Sequence, residues 1–242
     1  MFSKKLLIPL LSLSLLVTPA YSSHAAENAE AAKTSVEGQG MLSPSSSSES
    51  SESVFNGSGA GTSSEPVTDE KLETILKQVQ SQLPAENGTW AVFISDLVNG
   101  TEGSLNDQKM QAASLIKLYI MGAVYEDYDS LSSKYSKDQL DNALNSMITV
   151  SDNDAANTLT TYLGGGDSAA VNKFCQDHGY TSTSMGRLLL ADNSNGDNYT
   201  SAKDCGKFLK TIYQIDKGTA TDNNDTLAGA EYMYRLLKMQ TR

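Results

Sequence analysis

One segment of the chain, residues 113–125, is apolar almost all the way round a helix, and it constrains the fold more than any other. Lys117 is the only charged residue between Lys109 and Glu126. A helix without a polar face is stable only where other elements cover it on every side. The sequence therefore predicts a core in which this helix lies at the centre.

The rest of residues 68–242 follows an α+β pattern. An amphipathic helix over 72–83 precedes two strands, 89–97 and 101–105, and the Asn99-Gly100 pair between them is typical of a tight hairpin turn. After residue 112 no further strand is indicated. Shorter helices are predicted at 137–150, 155–163, 168–178, 200–215 and 227–239, with a long polar loop over 179–199. We expect a helical part beside an antiparallel sheet that contains only its first hairpin.

The residues before 68 lack the pattern of a folded domain. Lys4 and Lys5 precede an apolar run, 6–17, and small residues follow, which is typical of a secretory signal peptide. The run is too short to span a bilayer. Residues 26–67 are rich in Ser and Glu and poor in large apolar residues, so we expect a disordered tether. The predicted organisation is a signal peptide over 1–25, this tether, and a folded domain over 68–242 that is secreted into the extracellular or cell-wall space.

Charge and cysteine content exclude several partners. The formal net charge is −11; the two N-terminal lysines contribute +2 and the tether −5, which leaves −8 for residues 68–242. An acidic domain is a poor binder of nucleic acid and of anionic lipid. Cys175 and Cys205 are too few for a closed zinc site and form either one disulfide or two buried free thiols. We predict a monomer with no metal, no cofactor, no nucleic-acid partner and no membrane insertion after signal cleavage.

Ser114 and Lys117 form the only Ser-x-x-Lys sequence in the chain. Positions i and i+3 share a face of a helix, so the hydroxyl and the amine can meet. Burial removes solvent from an amine and favours its neutral form, which can act as a general base. A polar helix start followed by a lysine that reaches the surface would give the same sequence.

Ser151 and Asn153 form a second polar pair, separated by Asp152 and preceded by an apolar run. In an extended or turn conformation, residues two apart point the same way, so both side chains can face one site. A hydroxyl there can relay a proton, and an amide can hold a substrate carbonyl. The alternative is a pair of residues at a helix N-terminus, where these residue types are common.

Together, these two motifs resemble those of the class A serine β-lactamases and the related penicillin-binding proteins. The sequence around and beyond the two motifs is also similar to that of the family, in the stretches MQAASLIK at 110–117, MITVSDNDAAN at 147–157, NYTSAKD at 198–204 and LLKMQTR at 236–242. The resemblance covers roughly residues 68–242. It implies a serine β-lactamase/transpeptidase-like α+β fold.

The resemblance also implies a role for each residue of the two motifs. Ser114 would be the acylated nucleophile and Lys117 its activating base, while its own backbone N–H would supply half of an oxyanion hole. Ser151 would pass the proton to the leaving nitrogen, and Asn153 would bind the amide of the substrate. The implied substrate is a small molecule, either a β-lactam or a related amide derived from peptidoglycan.

Three departures from the family pattern leave alternatives open. The sequence contains no Lys-Ser/Thr-Gly and ends at Arg242, before the last strands of the family, so we expect a C-terminally truncated domain of uncertain activity. No Glu occurs from 127 to 230, although class A enzymes carry a loop glutamate that activates the deacylating water. The stretch between the two motifs is also shorter than in most class A enzymes. A β-lactamase, a slowly deacylating penicillin-binding relative, and a non-catalytic wall-binding or sensor module all remain possible.

Overall fold

The structure of this chain, a computed structural model, covers most of the predicted folded domain. It describes residues 11–18, 70–84, 88–164, 168–194, 196–220 and 227–241, all in one compact unit. The predicted tether lies outside the described residues. So does the predicted signal peptide, apart from residues 11–18.

The observed elements agree with an α+β fold in which helices dominate. The strands are β1 (Leu11–Thr18), β2 (Thr89–Asp96), β3 (Glu102–Leu105), β4 (Met110–Gln111) and β5 (Tyr199–Thr200). The helices are α1 (Glu70–Gln82), α2 (Ile116–Glu126), α3 (Tyr128–Tyr135), α4 (Lys137–Thr149), α5 (Asn153–Gly164), α6 (Ala169–Asp177), α7 (Ala202–Lys217) and α8 (Ala230–Lys238). Among the described residues, no helix is both long and apolar enough to cross a bilayer.

The larger sheet has three antiparallel strands in the order β1-β2-β3. The predicted hairpin is present, and its turn places Gly100 at φ +73°, a value that glycine adopts readily. The third strand, β1, comes from the predicted signal peptide and pairs along the other edge of β2, with Leu16 opposite Ala91. The prediction of a lone hairpin is therefore incomplete. An extended strand carries hydrogen-bonding groups on both edges, and β3 pairs with only one of them.

Strand β2 is buried on both faces because helices cover the sheet from two sides. Val92 and Ile94 belong to a cluster with Leu72 of α1. Phe93 belongs to the main core and packs against α7, where Gly206 leaves room for its ring. A Cβ atom on Gly206 would lie 2.0 Å from Cδ1 of Phe93. This close approach fixes the position of α7 against the sheet.

Helix α2 occupies the centre of the main core, as its sequence predicts. Every residue from 116 to 124 is buried, Lys117 included. The ring of Tyr119 packs against Tyr180 and Phe208, with ring centroids 5.3 and 5.4 Å apart. Because α2 is fixed by contacts on all sides, it is a rigid support for polar groups at its N-terminal end.

The two cysteines are free thiols, so of the two alternatives left open by the sequence the disulfide is not observed. Both are buried, Cys175 on α6 and Cys205 on α7. Burial raises the pKa of the Cys175 thiol to about 12. Both residues act as small core residues here, and the fold does not use them as a covalent link.

Candidate active site

Ser114 and Lys117 lie at the junction between a short 3-10 turn, Ala113–Leu115, and the start of α2. Ala113 enters this turn at φ +44°, an uncommon value for a residue with a side chain. Ser114 is exposed, whereas Lys117 is only 3% exposed. The Lys117 amine, Nζ, lies 3.3 Å from Oγ of Ser114. An accessible hydroxyl is thus held beside a buried amine.

The segment between α4 and α5 brings the second motif to the same place. Ser151 has φ +59°, and Asn153 is the first residue of α5. The side chain of Asp152 accepts hydrogen bonds from the N–H groups of Asp154 and Ala155, at 2.8 and 3.1 Å, and so caps the helix. The cap that the sequence offered as an alternative is therefore real. It is made by the middle residue, which leaves Ser151 and Asn153 to face Lys117.

Lys117 connects the two motifs. Its Nζ donates to the carbonyl oxygen and the hydroxyl of Ser151, at 2.7 and 2.9 Å, and to Oδ1 of Asn153, at 2.7 Å. The Ser151 hydroxyl in turn donates to Oγ of Ser114, at 3.1 Å. All four residues singled out in the sequence thus form one hydrogen-bonded cluster. Chemically, it can pass a proton between an exposed hydroxyl, a buried amine and a second hydroxyl.

The loop between α6 and β5 borders this cluster and is held by two asparagines. Asn157 of α5 donates to the carbonyl of Leu189 and accepts from its N–H, at 3.1 and 2.8 Å. Asn172 of α6 makes the same pair of bonds with Met185, at 2.9 and 2.7 Å. The described part of the predicted polar loop is therefore fixed to two helices at defined points.

An ion pair between Arg187 and Asp197 links two parts of the same loop. Nε of Arg187 lies 2.8 Å from Oδ1 of Asp197, and Gln111 donates to Oδ2 at 2.8 Å. Burial raises the pKa of Asp197, but the Asn198 N–H and the Arg187 guanidinium outweigh it, so the pKa of this carboxyl lies below its ordinary value. The carbonyl of Asn198 accepts from the N–H of Ala112, just before the 3-10 turn that contains Ser114, at 2.8 Å. The ion pair thus ties the loop to the strand that leads to Ser114.

A cavity of about 580 Å³ opens between the cluster and the loop. Its lining includes Ser114 and Asn153 on one side and the loop residues Leu189, Leu190 and Asp192 on the other. This volume lies within the usual range of small-molecule sites, roughly 300–1,000 Å³. The described residues contain no group of three His, Cys, Asp or Glu side chains that could hold a metal ion.

Sequence reasoning missed several residues that shape this site. Asn157 and Asn198 lie in stretches that resemble the family, but no role was predicted for them, and their partners are 32 and 12 residues away. Leu190, which lines the cavity, carries no motif. Arg187 had one available signal, since it is the only basic residue in the loop and shares it with two carboxylates, Asp192 and Asp197.

Comparison with solved structures finds related architectures of low sequence identity. A β-lactamase from Sphaerobacter thermophilus DSM 20745 is 19% identical, with a TM-score of 0.48 and 63% of each chain covered. Penicillin-binding protein D2 from Listeria monocytogenes, bound to ampicillin, is 23% identical, with a TM-score of 0.42, 52% of this chain covered and 63% of that one. Its cefotaxime-bound form is 22% identical at the same TM-score, with 57% and 70% covered. The chain thus spans 63% of the length of each of the first two structures.

At the level of sequence, a match to a family model identifies the family of this chain. A search of curated proteins found no match. The model of the β-lactamase enzyme family matches residues 71–139 and 130–241, which together cover nearly all of the predicted folded domain. The α+β fold, the central helix and the order of the two motifs agree with that match. The chain belongs to the β-lactamase enzyme family.

Proposed function

We propose that this protein is a secreted serine hydrolase of class A β-lactamase type that acts on β-lactams or related cell-wall amides through an acyl-Ser114 intermediate. One observation carries the proposal: the buried Lys117 amine is hydrogen-bonded to Ser114, to Ser151 and to Asn153 at once. A nucleophile, a base and a relay within hydrogen-bond reach are the arrangement that covalent acyl transfer requires.

The acylation step follows from these contacts. Oγ of Ser114 attacks the amide carbonyl while its proton passes to the neutral amine of Lys117, directly or through the hydroxyl of Ser151. When the tetrahedral intermediate collapses, the C–N bond breaks. The proton then returns from Lys117 through Ser151 to the leaving nitrogen. The serine ends as an ester, the nitrogen as an amine, and the base is neutral again.

Asn153 can bind the substrate without leaving the cluster. Its Oδ1 accepts from Lys117, which directs its amide nitrogen away from Nζ of that lysine. That nitrogen is a donor suited to a carbonyl oxygen of the substrate. Asn153 also lines the cavity that contains Ser114, so the donor lies on the substrate side.

A slowly deacylating relative of the penicillin-binding proteins is the second candidate, because of what borders the cavity. The sequence has no Glu between 127 and 230. The loop residue that is hydrogen-bonded to Asn157 is Leu189, which is apolar. Activation of a water for ester hydrolysis needs a base, and leucine supplies none. Asp192 and Asp197 also line the cavity, but their side chains are shorter than that of Glu, and Asp197 is paired with Arg187.

A fluorescent penicillin tests the proposal on the full chain. We expect covalent labelling of the parent, loss of labelling in Ser114→Ala, and normal labelling in the control Ser133→Ala, a serine on the exposed side of α3. Turnover of a chromogenic cephalosporin then separates a β-lactamase from a slow acyl-enzyme. A folded parent that is not labelled and does not hydrolyse the cephalosporin would instead support a wall-binding or sensor module.

We also propose that the protein is exported and processed before residue 26, on the strength of the pattern over residues 1–25. Strand β1 then belongs to the unprocessed chain only, and β2 loses that partner on cleavage. N-terminal sequencing of protein recovered from the culture medium or the cell wall tests this. A mature chain that still begins at Met1 would contradict it.

A further inference from the structure

The loop that borders the cavity presents one apolar side chain in an unusual way. Leu188, Leu189 and Leu190 are consecutive, and the first two pack on or within the main core. Leu190 is 81% exposed, the largest exposure among the large hydrophobic side chains of the described residues. It also lines the cavity that contains Ser114 and Asn153.

The backbone of Leu190 is held in a conformation that leucine rarely adopts. Its φ is +65°, in the left-handed region, where a residue with a branched side chain is strained. Strain of this kind persists only when the surrounding structure fixes it, and it concentrates at functional sites. A glycine or asparagine would relieve it, so the fold alone does not account for a leucine at this position.

The contacts that fix this conformation lie on both sides of Leu190. Asn157 holds the N–H and carbonyl of Leu189, at 2.8 and 3.1 Å. Arg187 donates to the carbonyl of Ala191 at 2.9 Å while its Nε is paired with Asp197. Leu190 is therefore an apolar side chain on a rigid support, exposed to solvent at the edge of the Ser114 cavity.

We propose that Leu190 is a specificity-determining residue that selects substrates with an apolar side chain on the acyl group that is transferred to Ser114. This rests on the proposed function. Ser114, Asn153 and Leu190 line one cavity, so an acyl side chain beyond an amide bound at Asn153 has Leu190 among its apolar neighbours there. Burying apolar surface of both partners there is favourable, at about 25 cal/mol per Å² removed from water. A charged or small polar side chain gains nothing from the contact.

Two penicillins that differ only in the acyl side chain test the inference on the full chain. Benzylpenicillin carries a benzyl group, and 6-acetamidopenicillanic acid keeps the same amide but has a methyl group there. The measured quantity is the second-order rate constant for acylation of Ser114, followed by intact-protein mass spectrometry. For the parent we expect the benzyl compound to react faster.

Two variants change the side chain and keep the backbone conformation: Leu190→Asn, of similar size and tolerant of positive φ, and Leu190→Gly. We expect each to lower the benzyl-to-methyl rate ratio about tenfold, which is typical of losing one apolar contact in a pocket. Their thermal stability should equal or exceed that of the parent because strain is relieved. The control Val98→Asn changes another exposed apolar residue, in the hairpin turn, and should leave the ratio as it is.

The outcomes separate this inference from the function on which it rests. An unchanged ratio in both variants, or an equal loss of rate with both penicillins, overturns the role of Leu190 while the parent still reacts at Ser114. A parent with no preference for the benzyl compound overturns it as well. A folded parent that reacts with neither penicillin overturns the proposed function, and this inference with it.

Discussion

At the scale of single residues, the position of Lys117 explains how a lysine side chain is accommodated in an apolar helix. The side chain is 3% exposed, and its amine lies within hydrogen-bond distance of four oxygen atoms that belong to three residues. A buried amine without partners would be strongly unfavourable. The polar groups of Ser114, Ser151 and Asn153 therefore stabilise the lysine, and the lysine positions them relative to one another.

Replacing this lysine separates catalysis from folding. Lys117→Met keeps an unbranched side chain in apolar surroundings and removes the base. We expect acylation of Ser114 to slow by about 10²–10⁴-fold, which is the usual contribution of a general base. The far-UV circular dichroism spectrum should change little. The rate is measured by labelling with a fluorescent penicillin and quenching the reaction at a series of times. Lys134→Met, on the exposed surface of α3, is the control, and equal rates in all three proteins would contradict the assignment.

Asp197 gives a pH-dependent prediction for the loop. Its pKa in the folded protein lies below the ordinary value of 3.8, so its ionisation stabilises the fold above that pH, and the contribution is lost as the pH falls through the lowered pKa. Asp197→Asn should cost about 1–3 kcal/mol in the free energy of unfolding at pH 7, because it removes charged hydrogen bonds from Arg187 and Gln111. The difference from the parent should shrink below pH 3.8.

Urea unfolding at pH 7 and near pH 3 checks this expectation. Asp129→Asn is a suitable control, since that carboxylate is exposed on α3. A destabilisation by Asp197→Asn that is the same at both pH values would show that the charge of Asp197 plays no part.

At the scale of elements, the seam between α7 and β2 shows how one glycine allows a helix to pack on a strand. The ring of Phe93 occupies the space where residue 206 would carry a side chain. Both α7 and β2 bury apolar residues in the same core. A larger residue would push the helix away from the sheet or force the ring out of its rotamer.

Gly206→Ala should therefore destabilise the fold by about 1–3 kcal/mol through overpacking, although alanine favours helix formation. The matched control is Gly164→Ala at the end of α5, where a Cβ would meet no atom within 4 Å. That change should be neutral or stabilising by up to about 1 kcal/mol. Thermal or urea unfolding of both variants checks the pair. Equal effects would mean that the close approach to Phe93 does not limit packing.

All seven helices that the sequence predicted are present, and their ends differ from the predicted ranges by at most three residues. Helix α3 was missed because it buries only Leu131 and so has no apolar stripe. Strands β4 and β5 are two residues each, too short to show alternation.

At the scale of the whole molecule, the sequence singled out the four residues that meet at Lys117, but not the loop residues that line the opposite side of the cavity. Ser114 and Lys117 are three residues apart at the start of α2, and Ser151 and Asn153 are two residues apart at the start of α5. The loop depends on contacts such as Asn157 with Leu189, 32 residues apart, which no local pattern encodes. The third strand of the sheet was missed for a related reason, since its residues have the composition of a leader peptide. Long-range pairing by polar side chains is the information that the sequence alone did not give.

The central claim is that Ser114, activated by Lys117, becomes covalently acylated by a β-lactam. Peptide mapping by mass spectrometry, after the full chain reacts with benzylpenicillin, tests it most directly. We predict a mass increase equal to the whole penicillin molecule, because ring opening loses no atoms, confined to the peptide that contains Ser114 and absent from Ser114→Ala. A folded protein that neither gains mass nor hydrolyses benzylpenicillin, or that gains mass at a residue other than Ser114, would contradict the account.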